Sequence, residues 1–134
     1  MHHSRLSTIM IDCHVDDLAG AIGFWSAALG KPVADADQDG DGKYAALQTA
    51  ADEPLILLQK VDHASRVHLD IETDDLEAEV VRLEGLGARR VALVRERWWV
   101  MEAPTGHRFC VVLPQREAFG PHLNRWDETY MSKR

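Results

Sequence analysis

The segment at 11–18 is written a second time at 69–76, and a chain that repeats itself in this way is restricted to folds with two like halves. Ile11-Asp12-Cys13-His14-Val15-Asp16-Asp17-Leu18 overlays Leu69-Asp70-Ile71-Glu72-Thr73-Asp74-Asp75-Leu76 at a constant offset of 58, with four of eight positions identical. Each copy runs from an apolar stretch into paired aspartates and then into helical spacing. Both helical stretches close on Leu-Gly, at Leu29-Gly30 and Leu86-Gly87. A strand, a cap and a helix stop recur by chance in many chains. Three further strands after each helix make duplication the better account.

In the first copy the patterns predict a strand over 7–12, a helix over 18–29 capped by Asp16 or Asp17, and strands over 32–36, 43–49 and 54–61. Leu18, Ala21, Ile22, Trp25 and Leu29 give that helix one apolar face, Gly30 stops it and Pro32 forbids its continuation. In the second copy they predict a strand over 66–71, a helix over 76–86 capped by Asp74 or Asp75, and strands over 89–94, 98–102 and 108–113. Leu76, Val80, Leu83 and Leu86 point inward on this helix, and Gly87 ends it. The expected organisation is one domain over 1–134, with module one at about 7–61, module two at about 66–113 and a polar tail over 114–134. Phe119 and Trp126 in the tail are expected to pack across the surface.

Charge narrows the partners. The net charge is -7 and the arginines are scattered among acids, which argues against a nucleic-acid partner. No apolar run approaches the ~20 residues that span a bilayer, so no membrane partner is expected. Cys13 and Cys110 read as reduced thiols, and Met-His-His-Ser-Arg lacks the apolar core of a signal peptide, so a cytoplasmic location is expected. His2 and His3 receive no functional weight. The stretch 35–42 starts like a calcium loop but has Ala46 where a bidentate glutamate belongs, and reads as a solvated acidic turn.

Two βαβββ units in tandem resemble the vicinal oxygen chelate superfamily, which includes glyoxalase I, bleomycin-resistance proteins and extradiol dioxygenases. Asp17-Leu18, Phe24-Trp25 and Leu29-Gly30 are similar to that superfamily's first-helix signature. His68-Leu69-Asp70 is similar to its second-module opening strand, and Ala103-Pro104-Thr105-Gly106-His107 stands where the family has Asp-Pro-x-Gly-Asn. The chain looks most like the small glyoxalase-like domain proteins of bacteria. The resemblance implies an α+β fold of two tandem βαβββ modules, each a half-barrel, together enclosing a cavity, and a homodimer.

Metal enzymes of that superfamily carry one ligand on the first strand and one on the last strand of each module. By position these places fall at Met10, Ile56, His68 and Cys110. A catalytic divalent ion takes about three histidine or carboxylate ligands. Met10 is a poor ligand and Ile56 is none, so no cofactor and no full metal site are expected. Any metal would fall to His68 and Cys110, with Gln59 or Glu102 completing the set in a different register.

His68 reads either as a core histidine satisfied by a backbone carbonyl or Asp70, or as a polar anchor and base for a ligand. Cys110 reads as a small apolar group, or as a nucleophile if His68 lowers its pKa. Strand alternation sends Trp98, Val100 and Glu102 to one face and Trp99 and Met101 to the other, which makes Trp98 a cavity wall and Glu102 an acid-base candidate. Asp12 and Asp70 read as structural carboxylates accepting backbone or arginine hydrogen bonds.

The leading expectation is a small-molecule-binding protein of the glyoxalase and bleomycin-resistance type, its apolar, aromatic-lined cavity formed by Met10, Ile56, His68, Trp98 and Cys110. The alternative is a lyase, isomerase or dioxygenase using His68 with Cys110 or Glu102, with or without a metal. A third is a structural dimer whose cavity is filled by its own side chains.

Overall fold

The computed structural model describes residues 1–37, 40–116 and 122–127. They form β1 (His2–Cys13), α1 (Ala19–Leu29), β2 (Val33–Asp35), β3 (Tyr44–Leu47), β4 (Leu55–Lys60), β5 (Arg66–Thr73), α2 (Leu76–Gly85), β6 (Arg89–Val94), β7 (Trp98–Glu102), β8 (Arg108–Val112) and β9 (Asn124–Trp126). The chain divides into two compact units, one of residues 8–68, the other of residues 1–7 with 69–134. No helix among the described residues is long and apolar enough to cross a membrane.

Within the first unit the strands lie in the order β2-β3-β4-β1, with β1 parallel to β4 and the other pairs antiparallel. The second unit repeats the plan as β6-β7-β8-β5, with β5 parallel to β8. The fold is therefore α+β, built from two βαβββ modules. In the second unit β9 adds an antiparallel pairing with His2–Ser4 of β1.

The first unit's core lies between sheet and helix. Ile11, Cys13, Leu18, Ala45, Leu47 and Leu58 are buried together, and Ala21, Ile22 and Trp25 of α1 press on them. Leu18 is the N-cap residue, and Asp17 caps from one place earlier, its Oδ1 accepting the Ala19 N–H at 2.7 Å. Gly30 closes α1 in the left-handed region at φ 64°, as a C′ glycine should. Leu29, placed on the apolar face by its spacing, is exposed.

In the second unit Val80 and Leu83 of α2 pack on Met101 and Val111, with Ile71, Leu76, Trp99 and Phe109 around them. The Asp75 side chain accepts the Ala78 N–H at 3.1 Å, an N-cap bond. Asp74 instead binds the His3 main-chain N–H and ring. Leu86, also expected inward, is exposed because the helix has ended at Gly85. Gly87 follows at φ 104°, where a Cβ would come 3.0 Å from Pro104 Cγ.

The N-terminal histidines carry more weight than the sequence reading gave them. His2 is buried, and its Nε2 meets Glu79 Oε1 at 2.8 Å. Glu79, itself 0% exposed, also accepts two bonds from Arg82, whose guanidinium lies 3.9 Å over the Trp126 ring. Trp126 Nε1 donates to Ser4 Oγ at 2.8 Å. This ties the tail to the second unit, as expected for Trp126; Phe119 lies outside the described residues.

Candidate functional site

The pleat of the first unit sends alternate residues of each strand to opposite faces. The face under α1 takes Ile11, Cys13, Ala45, Leu47 and Leu58. The face away from α1 takes the residues between them, and the register aligns these in rows. Met10 pairs with Leu57 and Leu57 with Ala46, an apolar row. Asp12 pairs with Gln59 and Gln59 with Tyr44, a polar row one step along.

His68 joins the polar row. Its Nδ1 lies 2.7 Å from Asp12 Oδ2, with the two side chains 11% and 1% exposed. An ionised carboxylate only accepts hydrogen bonds, so the shared hydrogen sits on Nδ1; its place is assigned from this bond. Arg66 Nε lies 3.6 Å from the same Asp12 oxygen. Asp12 Oδ1 is buried with no hydrogen-bond partner among the described residues. Gln59 gives an amide N–H to the Tyr44 hydroxyl at 2.9 Å, leaving its carbonyl oxygen to offer. The row thus holds an imidazole oriented by a buried carboxylate.

Ile56 requires a correction. It packs with the helix-side core, and the residue beside Met10 is Leu57. The physical reason is register: Asp12 pairs with Gln59 as its repeat-mate Asp70 pairs with Cys110, so the counterpart of Cys110 is Gln59. Asp12 is a partner of His68 that the sequence did not indicate.

The second unit carries the other candidates. Val100 pairs with Cys110, and Glu102 with Arg108, so Trp98, Val100 and Glu102 share a face with Cys110. Trp99 and Met101 turn to α2, as alternation predicts. Donor atoms of Asp70 and Cys110 lie within 4.8 Å of one another. Glu102 accepts bonds from Arg89 at 3.1 Å and Arg108 at 3.2 Å. The Arg89 bond foremost, with the positive charges, holds its carboxyl below the usual range. Glu102 is thus a bracket between two guanidiniums, which suits it poorly to giving or taking protons near neutrality.

In the first unit Met10 and Leu57 fill the places beside the polar row, and neither side chain suits a catalytic divalent ion.

Residues 8–112 match the glyoxalase-like domain family. Methylmalonyl-CoA epimerase from Mycobacterium tuberculosis is similar in structure, with a TM-score of 0.62, 19% identity, and coverage of 84% of this chain and 89% of that one. A hypothetical protein from Bacillus halodurans gives 0.63 at 14% identity over 87% and 99% of the two chains. Streptomyces coelicolor methylmalonyl-CoA epimerase in complex with 2-nitronate-propionyl-CoA gives 0.58 at 19% identity over 84% and 98%. At these identities the likeness is one of fold. No curated protein sequence matches this chain.

Proposed function

Because this chain belongs to the glyoxalase-like domain family, and with it to the vicinal oxygen chelate superfamily, we propose that it binds a small organic molecule and moves a proton on it with His68, the chemistry of an isomerase or lyase. The observation that carries this reading is the 2.7 Å bond from His68 Nδ1 to the buried Asp12 carboxylate. That bond orients the ring, leaves Nε2 as acceptor and stabilises the imidazolium that forms when Nε2 takes a proton. The arrangement suits a C–H beside a carbonyl. The C–H electron pair moves into an enolate, and the proton held on Nε2 returns to carbon, giving an isomer, or a leaving group departs, giving a lyase reaction. Positioned bases of this kind contribute about 10²–10⁴-fold. No step is routed through a metal.

Passive binding is the second reading, and the pairing of Glu102 with Arg89 and Arg108 favours it, since it removes one partner acid from play. Epimerases of coenzyme A esters share the fold, so acyl thioesters belong in any substrate panel. The deciding experiment incubates the protein with carbonyl compounds and thioesters in D₂O and follows deuterium uptake beside the carbonyl. Uptake lost in His68→Gln supports the enzyme. A compound that raises the melting temperature of wild type and His68→Gln alike, with no exchange in either, supports passive binding.

A further inference from the structure

Arginines in the second unit are held in two different ways. Arg82 gives Nε and Nη2 to one carboxylate, Glu79, and stacks on Trp126. Arg90 gives three bonds to two carboxylates, Glu77 and Glu84. In both, the guanidinium charge is matched or exceeded by its acids, which is how a purely structural arginine is satisfied.

Arg89 and Arg108 are held otherwise. They share the single carboxylate of Glu102, and each reaches it through Nε alone. Their Nη groups have no protein acceptor among the described residues, and the trio keeps an excess of one positive charge. The chain as a whole carries -7. Cross-strand register fixes the arrangement, since Glu102 is the partner of Arg89 on β6 and of Arg108 on β8. Asp70, on β5, stands opposite Cys110 of β8 in the register. Val100 and then Trp98 continue the same face of β7, so an aliphatic and then an aromatic side chain lead away from the excess charge. Free guanidinium forks match carboxylate and phosphate oxygens in pairs.

We propose that Arg89 and Arg108, bracketed by Glu102, form a site for the anionic head of a small organic compound, a carboxylate or phosphate, whose apolar body lies along Trp98 and Val100. The site belongs to the second unit alone and stands whether or not His68 moves a proton.

The test titrates the full chain at low salt with benzoate, phenyl phosphate and benzyl alcohol, following heat and the Trp98 indole N–H resonance. At least one of the two anions binds and shifts Trp98, the tighter one identifying the head group, and the alcohol does not. Arg89→Gln with Arg108→Gln weakens that binding about tenfold or more, the scale of lost charge-assisted hydrogen bonds. Arg95→Gln with Arg97→Gln, the same change in charge on the neighbouring turn, leaves it unaltered. Arg89→Gln alone, at a side chain 60% exposed, gives the same direction of change without risk to folding. The proposal fails if neither anion binds, if the alcohol binds as well as the anions, or if both arginine pairs weaken binding alike, which is the signature of diffuse charge.

Discussion

Replacing Glu79 by Gln keeps the side chain's shape and removes the charge at the centre of the second unit's polar cluster. Bonds converge there from His2 at 2.8 Å and from Arg82 at 2.8 and 2.7 Å. The Arg82 guanidinium, 9% exposed, would be left without a counter-charge. Breaking a buried pair by removing one partner costs about 3–5 kcal/mol. Set against a domain stability of about 5–15 kcal/mol, that is about a fifth of the total or more. At about 4 °C per kcal/mol, the melting temperature falls by roughly 12–20 °C. The double replacement Glu79→Leu with Arg82→Met recovers most of the loss, since a buried pair exchanged for apolar side chains of similar size is often neutral. Acid supplies a second axis. Burial pushes the Glu79 carboxyl up, but the hydrogen bonds from Arg82, His2 and Ser4 outweigh it and hold the group below its usual value. A depressed folded pKa means that this stability is present above the unfolded value of about 4.3 and is lost as pH falls through the folded one. The gap between wild type and Glu79→Gln therefore narrows below about pH 4. Urea denaturation followed by circular dichroism at pH 7 and pH 3.5 reads both effects. A cost under about 1 kcal/mol at pH 7, or a double variant that loses the sum of the singles, would refute the reasoning.

Three further outcomes are expected. Gly87→Ala costs about 1–3 kcal/mol, because φ is 104° and the new Cβ meets Pro104 Cγ at 3.0 Å. Gly106→Ala, at φ 86° with nothing within 4 Å, pays only the backbone part, so equal losses in thermal melts would contradict the packing account. Burial foremost, and then the Asp12 charge, push the Cys13 thiol up, so iodoacetamide reaches Cys13 in denaturant and not in the native protein; rapid native labelling at that residue, read by mass spectrometry, counts against the core assignment. Elemental analysis of untagged protein is expected to show metal well below one equivalent, and a chelator to leave the melting temperature unchanged. A stoichiometric ion lost in His68→Ala would overturn the metal-free reading.

What the sequence made legible follows the range of the interactions involved. Strands 89–94 and 98–102 are found at their predicted bounds because alternation and the Arg95-Glu96 turn are local signals. Asp75 as a cap and Gly30 as a stop are equally local. The pairing of β1 with β4 was not legible to the residue. Loops of unequal length hide the register, and a slip of one moved Ile56 to the wrong face. Asp12 was read as structural because its partner lies 56 residues away in the chain. The repeat held the missing clue: Asp70 has Cys110 beside it, so Asp12 has Gln59, and the polar row follows. The strand Asn124–Trp126 is three residues of polar and aromatic character, too short for any period to show. His2 looked like a terminus and proved to be core, because the residues that bury it, on α2, are distant in sequence.

Which nitrogen of His68 carries the hydrogen decides whether the ring can take a proton from a ligand. Nitrogen-15 NMR of the histidine side chains, assigned through His68→Gln, reads this directly. The expected result at neutral pH is a neutral ring protonated on Nδ1, with Nε2 showing the shift of an unprotonated nitrogen, and loss of this single tautomer in Asp12→Asn. A ring protonated on Nε2, or a tautomer mixture unchanged by Asp12→Asn, would contradict the assignment of His68 as an oriented proton acceptor.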